Sequence, residues 1–430
     1  MTANLQRWQR SQIRKALERY RQSLDSGYYI HNKRQVETWG GLKAFSLLSP
    51  PLGSHAAQRR LRFIAKNIVN SESSALIGGL SVPQDRTPHF ATLAVTYQCQ
   101  CDCAHCSASR YRQQVARDGS ALSVAELQDV IRQTVEMGTT CVILTGGEPL
   151  LLDGLVELIR PIDPALCICT LFTNGEYLTA ETVRSLKEAG LFGVFVSLDS
   201  SDASEHDANR GRRGLFRTAV DGIRRCQEAG LLTGLSTYVS KTKLVGGELD
   251  AMMALGRELG VLEVFLFDLI AVGRLRNRRG CMLSSEERQA TKRFQKRYNE
   301  TLDYPRVIHQ TMFASIAYPC AAHGCPAGIA QIHIRANGDV APCDFTPFSF
   351  GNVRERPLRD IWNDITGHEI YSSGSPSCRL ADPAYWEGLA AATAQKGPAP
   401  TARSAGRDGL RPRTDSCAPH GPGGVSTQNS

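Results

Sequence analysis

Four cysteines lie within eight residues, in the stretch Cys99-Gln-Cys-Asp-Cys103-Ala-His-Cys106. Three of them, Cys99, Cys103 and Cys106, have the spacing C-x3-C-x2-C, and Cys101 is a fourth thiol inside that spacing. Clustered thiols bind metal, form disulfides or react, and soft thiolates select iron–sulfur clusters, zinc or copper(I). Three ligands on a four-iron cluster would leave one iron open to a substrate or cofactor.

A strand and helix alternation surrounds these cysteines. Phe90–Tyr97 is a strand-like run that ends just before them, and from residue 90 to about 300 such runs alternate six times with amphipathic helical patterns. The pattern predicts an α/β fold with a parallel sheet covered by helices. Six units predict an open, partial (β/α)6 barrel, short of a closed eight. The predicted strands are 90–97, 140–145, 165–172, 193–198, 232–239 and 261–269.

The chemistry of such a fold lies at the carboxyl ends of its strands. Gly146-Gly-Glu-Pro149 follows the second predicted strand, and Thr173-Asn-Gly175 follows the third. Ser197-Leu-Asp199 closes the fourth, and Thr237 lies near the end of the fifth. Several loops that place polar or glycine-rich motifs on one rim are typical of an enzyme.

A second set of cysteines lies beyond the predicted barrel. Cys320 and Cys325 precede a hairpin-like stretch around Asn337-Gly338, a strong two-residue turn signal. Cys343 ends that stretch, and Cys378 follows 35 positions later. Four thiolates here suit either an iron–sulfur cluster or a structural zinc site.

Charge and composition divide the rest of the 430-residue chain, which has a net charge of +8. Residues 1–90 carry 14 Lys or Arg against five Asp or Glu. This basic segment could dock an acidic peptide, nucleic acid or an anionic membrane. The alternative is a helical appendage whose basic face is solvated. The predicted domains are a basic helical N-terminal extension (1–89), the partial barrel (90–303), a small β-hairpin and helix domain (304–385) and a disordered tail (386–430).

The chain contains no apolar run near the roughly 20 residues of a membrane-spanning helix. Its first residues have no secretory apolar core. We therefore predict a cytoplasmic protein, in which thiols stay reduced and clustered cysteines bind metal or do chemistry.

The C-x3-C-x2-C loop after a strand, followed one unit later by Gly-Gly-Glu-Pro, resembles the radical S-adenosylmethionine (SAM) superfamily. The resemblance implies that Cys99, Cys103 and Cys106 hold a [4Fe–4S] cluster, that SAM binds its open iron, and that an electron cleaves SAM to a 5′-deoxyadenosyl radical. The implied SAM contacts are His105 beside the adenine, Gly146, Gly147, Glu148 and Pro149 at the amino group, and Asn174, Ser197, Asp199, Arg210 and Thr237 around the ribose and carboxylate. For these last five, a residue that caps a helix or turn is the alternative, and Cys101 departs from the family pattern.

The later cysteines resemble the SPASM domain, or its shortened form called twitch. The resemblance implies that Cys320, Cys325, Cys343 and Cys378 hold one auxiliary [4Fe–4S] cluster, since the sequence has no dense cysteine run for a second. Ligation by all four would suit an electron relay, whereas loss of one ligand would open the cluster to substrate. A structural zinc site remains the alternative.

The predicted function is therefore that of a radical SAM iron–sulfur oxidoreductase that abstracts a substrate hydrogen. Relatives with this C-terminal module mostly modify ribosomally made peptides or protein side chains, and some act on small molecules such as sugars. A peptide or protein substrate is the first expectation, and epimerisation, dehydrogenation or rearrangement of a small molecule is the second. A zinc-stabilised nucleic-acid-binding module is a distant third. The expected partners are the substrate and an electron donor such as flavodoxin or ferredoxin.

Overall fold

The computed structural model describes residues 36–37, 43–44, 46–51, 54–60, 86–312, 324–371, 375, 377–382 and 385–386. The predictions for Cys320, for most of the basic extension and for the tail beyond residue 386 lie outside these residues. The described part of the chain includes no helix whose length and hydropathy would let it cross a membrane.

A ten-stranded sheet forms the centre of the fold. Its strands are arranged in the spatial order β10-β9-β8-β1-β2-β3-β4-β5-β6-β7. All pairs from β8 through β1 to β7 are parallel, whereas β8, β9 and β10 pair antiparallel. The two edge strands do not pair with each other, so the barrel is open. The strands are β1 (Phe90–Thr96), β2 (Cys141–Gly146), β3 (Ile168–Thr173), β4 (Gly193–Ser197), β5 (Leu232–Val239), β6 (Glu263–Asp268), β7 (Arg306–His309), β8 (Gln331–Ile334), β9 (Asp339–Ala341) and β10 (Gly351–Asn352).

Helices connect these strands, and their ends follow from capping residues in the sequence. The capping boxes that the sequence predicts at Ser123–Glu126 and Ser284–Glu287 are both present, and each satisfies backbone N–H groups that a helix start leaves unpaired. The helices are α1 (Ser109–Asp118), α2 (Val124–Met137), α3 (Leu155–Ile159), α4 (Ala180–Glu188), α5 (Ala203–Arg210), α6 (Leu215–Glu228), α7 (Lys241–Val245), α8 (Glu248–Glu258), α9 (Ser285–Glu300) and α10 (Leu358–Gly367).

Two apolar cores lie on the two faces of the sheet. One joins the sheet to the helices, and the other fills the inside of the partial barrel with side chains such as Phe195 and Phe265. Leu47 and Leu48, from the segment before the barrel, are fully buried in this inner core. The Leu47 N–H donates to the Glu263 carboxylate at 2.7 Å, so this segment covers the amino-terminal end of the strands.

The prediction of an open α/β barrel with six strand and helix units is confirmed, because β1 to β6 all form. Three features go beyond it. Strand β7 extends the sheet at one edge, and the C-terminal hairpin continues it at the other, because β8 pairs parallel with β1. Helices α1, α5 and α7 are additional to the six predicted units. The predicted domain limits stay predictions.

Candidate active site

The cysteine loop, residues 99–106, is anchored to α5 through its backbone. The Asp102 N–H donates to the Arg210 carbonyl at 2.9 Å, and the Ala104 N–H donates to the Asn209 carbonyl at 3.0 Å. These carbonyls belong to the last turn of α5, where helical carbonyls have no partner within the helix. The bonds use backbone atoms alone, so they fix the loop without engaging its thiols.

Helix α1 holds the same loop from the other side. The Arg112 guanidinium donates to the carbonyls of Cys99 and Cys101. The four cysteine side chains of the loop pack together against Leu215, at the start of α6. The spacing of these cysteines in the sequence is thus also a grouping in space.

The turn after β6 makes the closest contact with the end of the loop. Gly273 has a φ of +56°, and a Cβ atom there would lie 2.2 Å from the Cys106 carbonyl oxygen. The next residue, Arg274, donates its N–H to that same oxygen at 3.1 Å, and its side chain pairs with Asp102. Only glycine combines this φ with this approach, so Gly273 sets the position of Cys106.

The thiols of the loop differ in their ease of ionisation. Cys101 hydrogen-bonds to both Cys99 and Cys103, which lowers the pKa of Cys99 to about 6 and also lowers the pKa of Cys103. The same bonds raise the pKa of Cys101, and burial raises that of Cys106. Because the thiolate is the form that binds metal, this set of thiols fits a soft-metal cluster. Among them, Cys101 stays protonated most readily, since its pKa is raised.

The ligand assignments themselves remain predictions. As they stand, the described residues contain no group of three His, Cys, Asp or Glu side chains that could hold a single metal ion.

The Gly-Gly-Glu turn after β2 is locked to the chain that enters the cysteine loop. A Cβ atom on Gly146 would lie 2.1 Å from the Thr96 carbonyl oxygen, and one on Gly147 would lie 2.2 Å from the Gln98 carbonyl oxygen. The Gly147 and Glu148 N–H groups donate to those two oxygens, each at 2.7 Å. Both glycines are therefore required for the turn to approach the backbone of its neighbour.

The Glu148 side chain joins the ends of β2 and β3. It is fully buried, and its carboxyl oxygens accept from the Thr173 hydroxyl at 2.6 Å and the Asn174 N–H at 2.8 Å. Burial raises the pKa of Glu148 to about 7, although these donors oppose the shift. These hydrogen bonds hold the ends of β2 and β3 together at the rim, and the contact of Glu148 with SAM stays a prediction.

Asn174 carries an unsatisfied polar group beside the cysteine loop. Its Oδ1 accepts from the Gln100 side chain at 3.3 Å and from the Glu176 N–H at 3.0 Å. Its Nδ2 and the Gln100 Oε1 are both buried and have no hydrogen-bond partner among the described residues. Buried polar atoms normally find partners, so these two fit a polar ligand such as SAM.

Asp199 and Arg210, two separately predicted SAM contacts, are bonded to each other. The Arg210 Nε and Nη2 atoms donate to the two carboxylate oxygens of Asp199 at 2.7 and 2.8 Å. Burial alone would raise the pKa of Asp199, but the charge of Arg210 holds it below its usual range. The Asp199 backbone N–H donates to the His206 Nδ1 at 3.0 Å. Both groups of the pair therefore stay ionised, with opposite charges, beside the cysteine loop.

Of the remaining predicted contacts, His105 lies beside the same carboxylate. The His105 Nε2 lies 3.7 Å from the Asp199 carboxylate, and its ring lies 4.6 Å from that of Tyr238. Burial lowers the pKa of His105 to about 4. Lys243 donates to the Asp199 carbonyl and lies 3.4 Å from the Thr237 hydroxyl. Nearby, the hydroxyls of Ser197 and Ser236 are 3.0 Å apart.

The sequence reasoning missed several members of this site. Gln100 was treated as a spacer between cysteines, and Tyr238, Lys243 and His206 carried no motif. Their spacing gives no signal, because the fold brings them together from β5, α7 and α5. Only the position of Tyr238 at the carboxyl end of a predicted strand could have suggested it.

Three of the four predicted auxiliary cysteines, Cys325, Cys343 and Cys378, line one cavity. Burial raises the pKa of Cys343 to about 12 and also raises that of Cys378, so these thiols favour their protons until a metal takes them. The three soft donors around one space fit an iron–sulfur cluster.

The same cavity extends into the barrel and has a largely apolar wall. Its wall includes Phe172 from β3, Phe267 from β6 and Phe345 from the segment after β9. Asp344 is the charged member of the wall, and it accepts from the Gln331 side chain at 2.7 Å and lies 3.1 Å from the His333 Nδ1. The cavity thus joins the interior of the barrel to the auxiliary cysteines.

Comparison with protein families assigns both regions. Residues 93–248 match the model of the radical SAM superfamily, and residues 325–379 match the SPASM iron–sulfur cluster-binding domain. The first match includes the cysteine loop, and the second includes Cys325, Cys343 and Cys378.

The chain is also similar to characterised proteins. It is 28% identical to an AdoMet-dependent heme synthase of Methanosarcina barkeri, over 66% of this chain and 84% of that protein. It is 27% identical to an Fe-coproporphyrin III synthase of the same organism, over 67% and 76% of the two chains. Its fold is similar to that of Streptococcus suis SuiB bound to the precursor peptide SuiA, with a TM-score of 0.53, 16% identity and coverage of 74% and 70%.

Proposed function

We propose that this chain, which belongs to the radical SAM superfamily and carries a C-terminal SPASM domain, cleaves SAM reductively and removes a hydrogen atom from a substrate. Its cofactors are a SAM-binding [4Fe–4S] cluster, SAM and an auxiliary [4Fe–4S] cluster. When bound and reduced, the first cluster supplies the electron that converts SAM to a 5′-deoxyadenosyl radical. The observation that carries the proposal is the cysteine loop, whose three motif thiols are grouped beside unsatisfied buried polar atoms.

The chain's own residues hold and orient these groups. Cys99, Cys103 and Cys106 would be the cluster ligands. Asn174 Nδ2 offers an unpaired donor to SAM, and the Asp199–Arg210 pair fixes charge where the polar end of SAM would lie. Positioning of this kind, with water excluded, is the protein's contribution when a cofactor supplies the difficult chemistry.

The cavity between the barrel and the SPASM domain is the proposed substrate site. Its wall combines strands of the barrel with Cys325, Cys343 and Cys378. A substrate there would lie next to the auxiliary cluster, which could accept the electron that a substrate radical gives up on oxidation. Asp344 and its partner His333 provide a hydrogen-bonded carboxylate at the same wall.

The substrate we favour is a small molecule with a large apolar ring system. Three phenylalanine rings in the cavity wall support this choice, and so do the curated relatives, whose names place them in heme and Fe-coproporphyrin III formation. A ribosomally made peptide, the first expectation from the sequence, is the second candidate. The basic first 90 residues favour it, since they would suit an acidic leader peptide.

Anaerobic reconstitution tests the reaction type. We expect about eight irons and eight sulfides per chain, as two four-iron clusters require. Reduction with dithionite in the presence of SAM should then yield 5′-deoxyadenosine, and Cys103→Ala should abolish this product. Undiminished product from that variant would refute the ligand assignment, and a colourless protein that carries zinc would refute the function.

Titration with Fe-coproporphyrin III, followed by its absorption spectrum, tests the substrate class. We expect saturable binding that Phe267→Ala weakens by about tenfold or more, because the lost ring contact is worth about 1.5–3 kcal/mol. The exposed Leu302→Ala serves as the control. Absence of porphyrin binding, together with binding of an acidic peptide, would favour the second candidate.

A further inference from the structure

The outward side of the cysteine loop is bordered by arginines, most of which have no role in the site described above. The turn after β6 has four arginines and no Asp or Glu between residues 269 and 283. Arg274 pairs with Asp102 of the loop, whereas the next three are exposed and form no ion pair with a described residue. These three are Arg276, Arg278 and Arg279.

The position of this turn relative to the cysteines is fixed by backbone contacts. Gly273 lies against the Cys106 carbonyl, and the Arg274 N–H donates to it. Helix α1, which begins three residues after Cys106, packs against the same turn and carries the exposed Arg110. Gly211, two residues before the exposed Arg213, lies against Asp102. Basic side chains thus surround the loop on its outer side.

The two sides of the loop differ in exposure. Asp102 is 67% exposed and marks the outer side. Cys103 and Asp199 are buried, and with them lie the unsatisfied atoms proposed to bind SAM. The auxiliary cysteines line the cavity inside the barrel. The side of the loop that is exposed to solvent is therefore the side bordered by the arginines. We expect an electron from an external donor to enter there.

We propose that Arg110, Arg213, Arg276, Arg278 and Arg279, which we call the arginine face, dock an acidic electron-transfer protein such as a flavodoxin or ferredoxin. The inference rests on the proposed function, because it assumes a reducible cluster in the loop. Electron-transfer encounters have small interfaces, and complementary charge raises their association rates by about 10–1,000-fold at low salt. Three unpaired arginines on one turn provide such a charge.

The test compares two electron sources for the same anaerobic holoenzyme. Formation of 5′-deoxyadenosine is driven either by dithionite or by a reduced acidic flavodoxin, at low and at high salt. The test variant carries Arg276→Glu, Arg278→Glu and Arg279→Glu together. The control variant has the same change of charge at exposed positions elsewhere on the surface, with Arg160→Glu, Arg184→Glu and Arg359→Glu.

We expect the test variant to lose about tenfold or more of the flavodoxin-driven rate at low salt. Its dithionite-driven rate should stay at the wild-type level, and the control should retain both rates. The wild-type flavodoxin-driven rate should fall as salt increases, whereas that of the test variant should change little. If the Glu variant loses iron, the Arg→Gln variants at the same three positions replace it.

Three results would overturn the proposal. The first is an unchanged flavodoxin-driven rate in the test variant, and the second is an equal loss of that rate in the control variant. The third is a matching loss of the dithionite-driven rate in an iron-replete test variant, which would place substrate or SAM binding at the arginines. A wild-type enzyme that forms no 5′-deoxyadenosine with dithionite would instead refute the proposed function itself.

Discussion

Three buried carboxyl groups of this protein have different pKa shifts because their partners differ. Asp199 faces a guanidinium that donates two hydrogen bonds, so it stays ionised in spite of burial. Glu148 accepts hydrogen bonds from neutral donors only, and its pKa rises to about 7. The pKa of Glu263 also rises to about 7 through burial, although the Arg306 charge opposes the shift. A charged partner at bonding distance, rather than burial, thus decides which carboxyl group is ionised.

Glu263→Gln tests the linkage between this shift and stability. A folded-state pKa raised from 4.5 to about 7 means that the protonated form favours folding. Its contribution to the free energy of unfolding is full below pH 4.5 and is lost as pH rises through 7. Between these pH values, we expect the free energy of unfolding of the wild type to fall by about 3 kcal/mol relative to that of Glu263→Gln. Chemical denaturation measures this difference. Equal pH slopes for both proteins would contradict the assignment, and the exposed Glu258→Gln is the control.

The residue types at the rim could be predicted, but their pairing could not. The cysteine spacing and the Gly-Gly-Glu motif are local in sequence, so the sequence alone is enough to identify them. The bond between Asp199 and Arg210 forms because α5 returns toward the end of β4. The sequence pattern did not predict helix α5. Lys243 donates to the backbone carbonyl of Asp199 from another connection, which no spacing encodes.

At the level of elements, apolar periodicity predicted the central strands, and the Asn-Gly turn predicted the hairpin of β8 and β9, but neither predicted which strand of the sheet this hairpin pairs with. Strand β8 has four residues, and its parallel partner β1 lies about 240 positions earlier. Such a pairing depends on tertiary contacts that intrinsic strand preference does not report. The hairpin of the SPASM region continues the barrel sheet through this pairing.

Gly273→Ala tests whether the turn after β6 positions the cysteine loop. A Cβ atom there would lie 2.2 Å from the Cys106 carbonyl oxygen, so the turn or the loop must move. We expect loss of the SAM-binding cluster, measured as about half of the iron per chain, and loss of 5′-deoxyadenosine formation.

Gly119→Ala is a matched control for that experiment. Gly119 has nearly the same φ, +57° against +56°, but nothing lies within 4 Å of its Cβ position. Both substitutions therefore carry the same intrinsic cost of about 1–2 kcal/mol for a left-handed residue, and only one disturbs Cys106. Equal iron contents in the two variants would contradict the positioning role.

At the level of the whole molecule, the barrel depends on a segment that lies outside it in sequence. Leu47 and Leu48 are fully buried beneath the inner core. We expect Leu47→Ala to lower the free energy of unfolding by about 2–5 kcal/mol, because a buried cavity remains. The exposed Leu302→Ala should change it by less than about 0.5 kcal/mol. Similar denaturation midpoints for both variants would show that the segment does not seal the barrel.

The two cysteine regions belong to one sheet, yet separate contacts support them. The cysteine loop is held by α1, α5 and the turn at Gly273, and none of these contacts involves the SPASM region. We therefore expect Cys343→Ala to reduce iron from about eight to about four per chain while SAM cleavage continues. Cys226→Ala, a buried thiol on α6 away from both regions, should keep all of its iron. Full iron in Cys343→Ala would exclude Cys343 as a ligand, and loss of SAM cleavage would mean that the two cluster sites depend on each other.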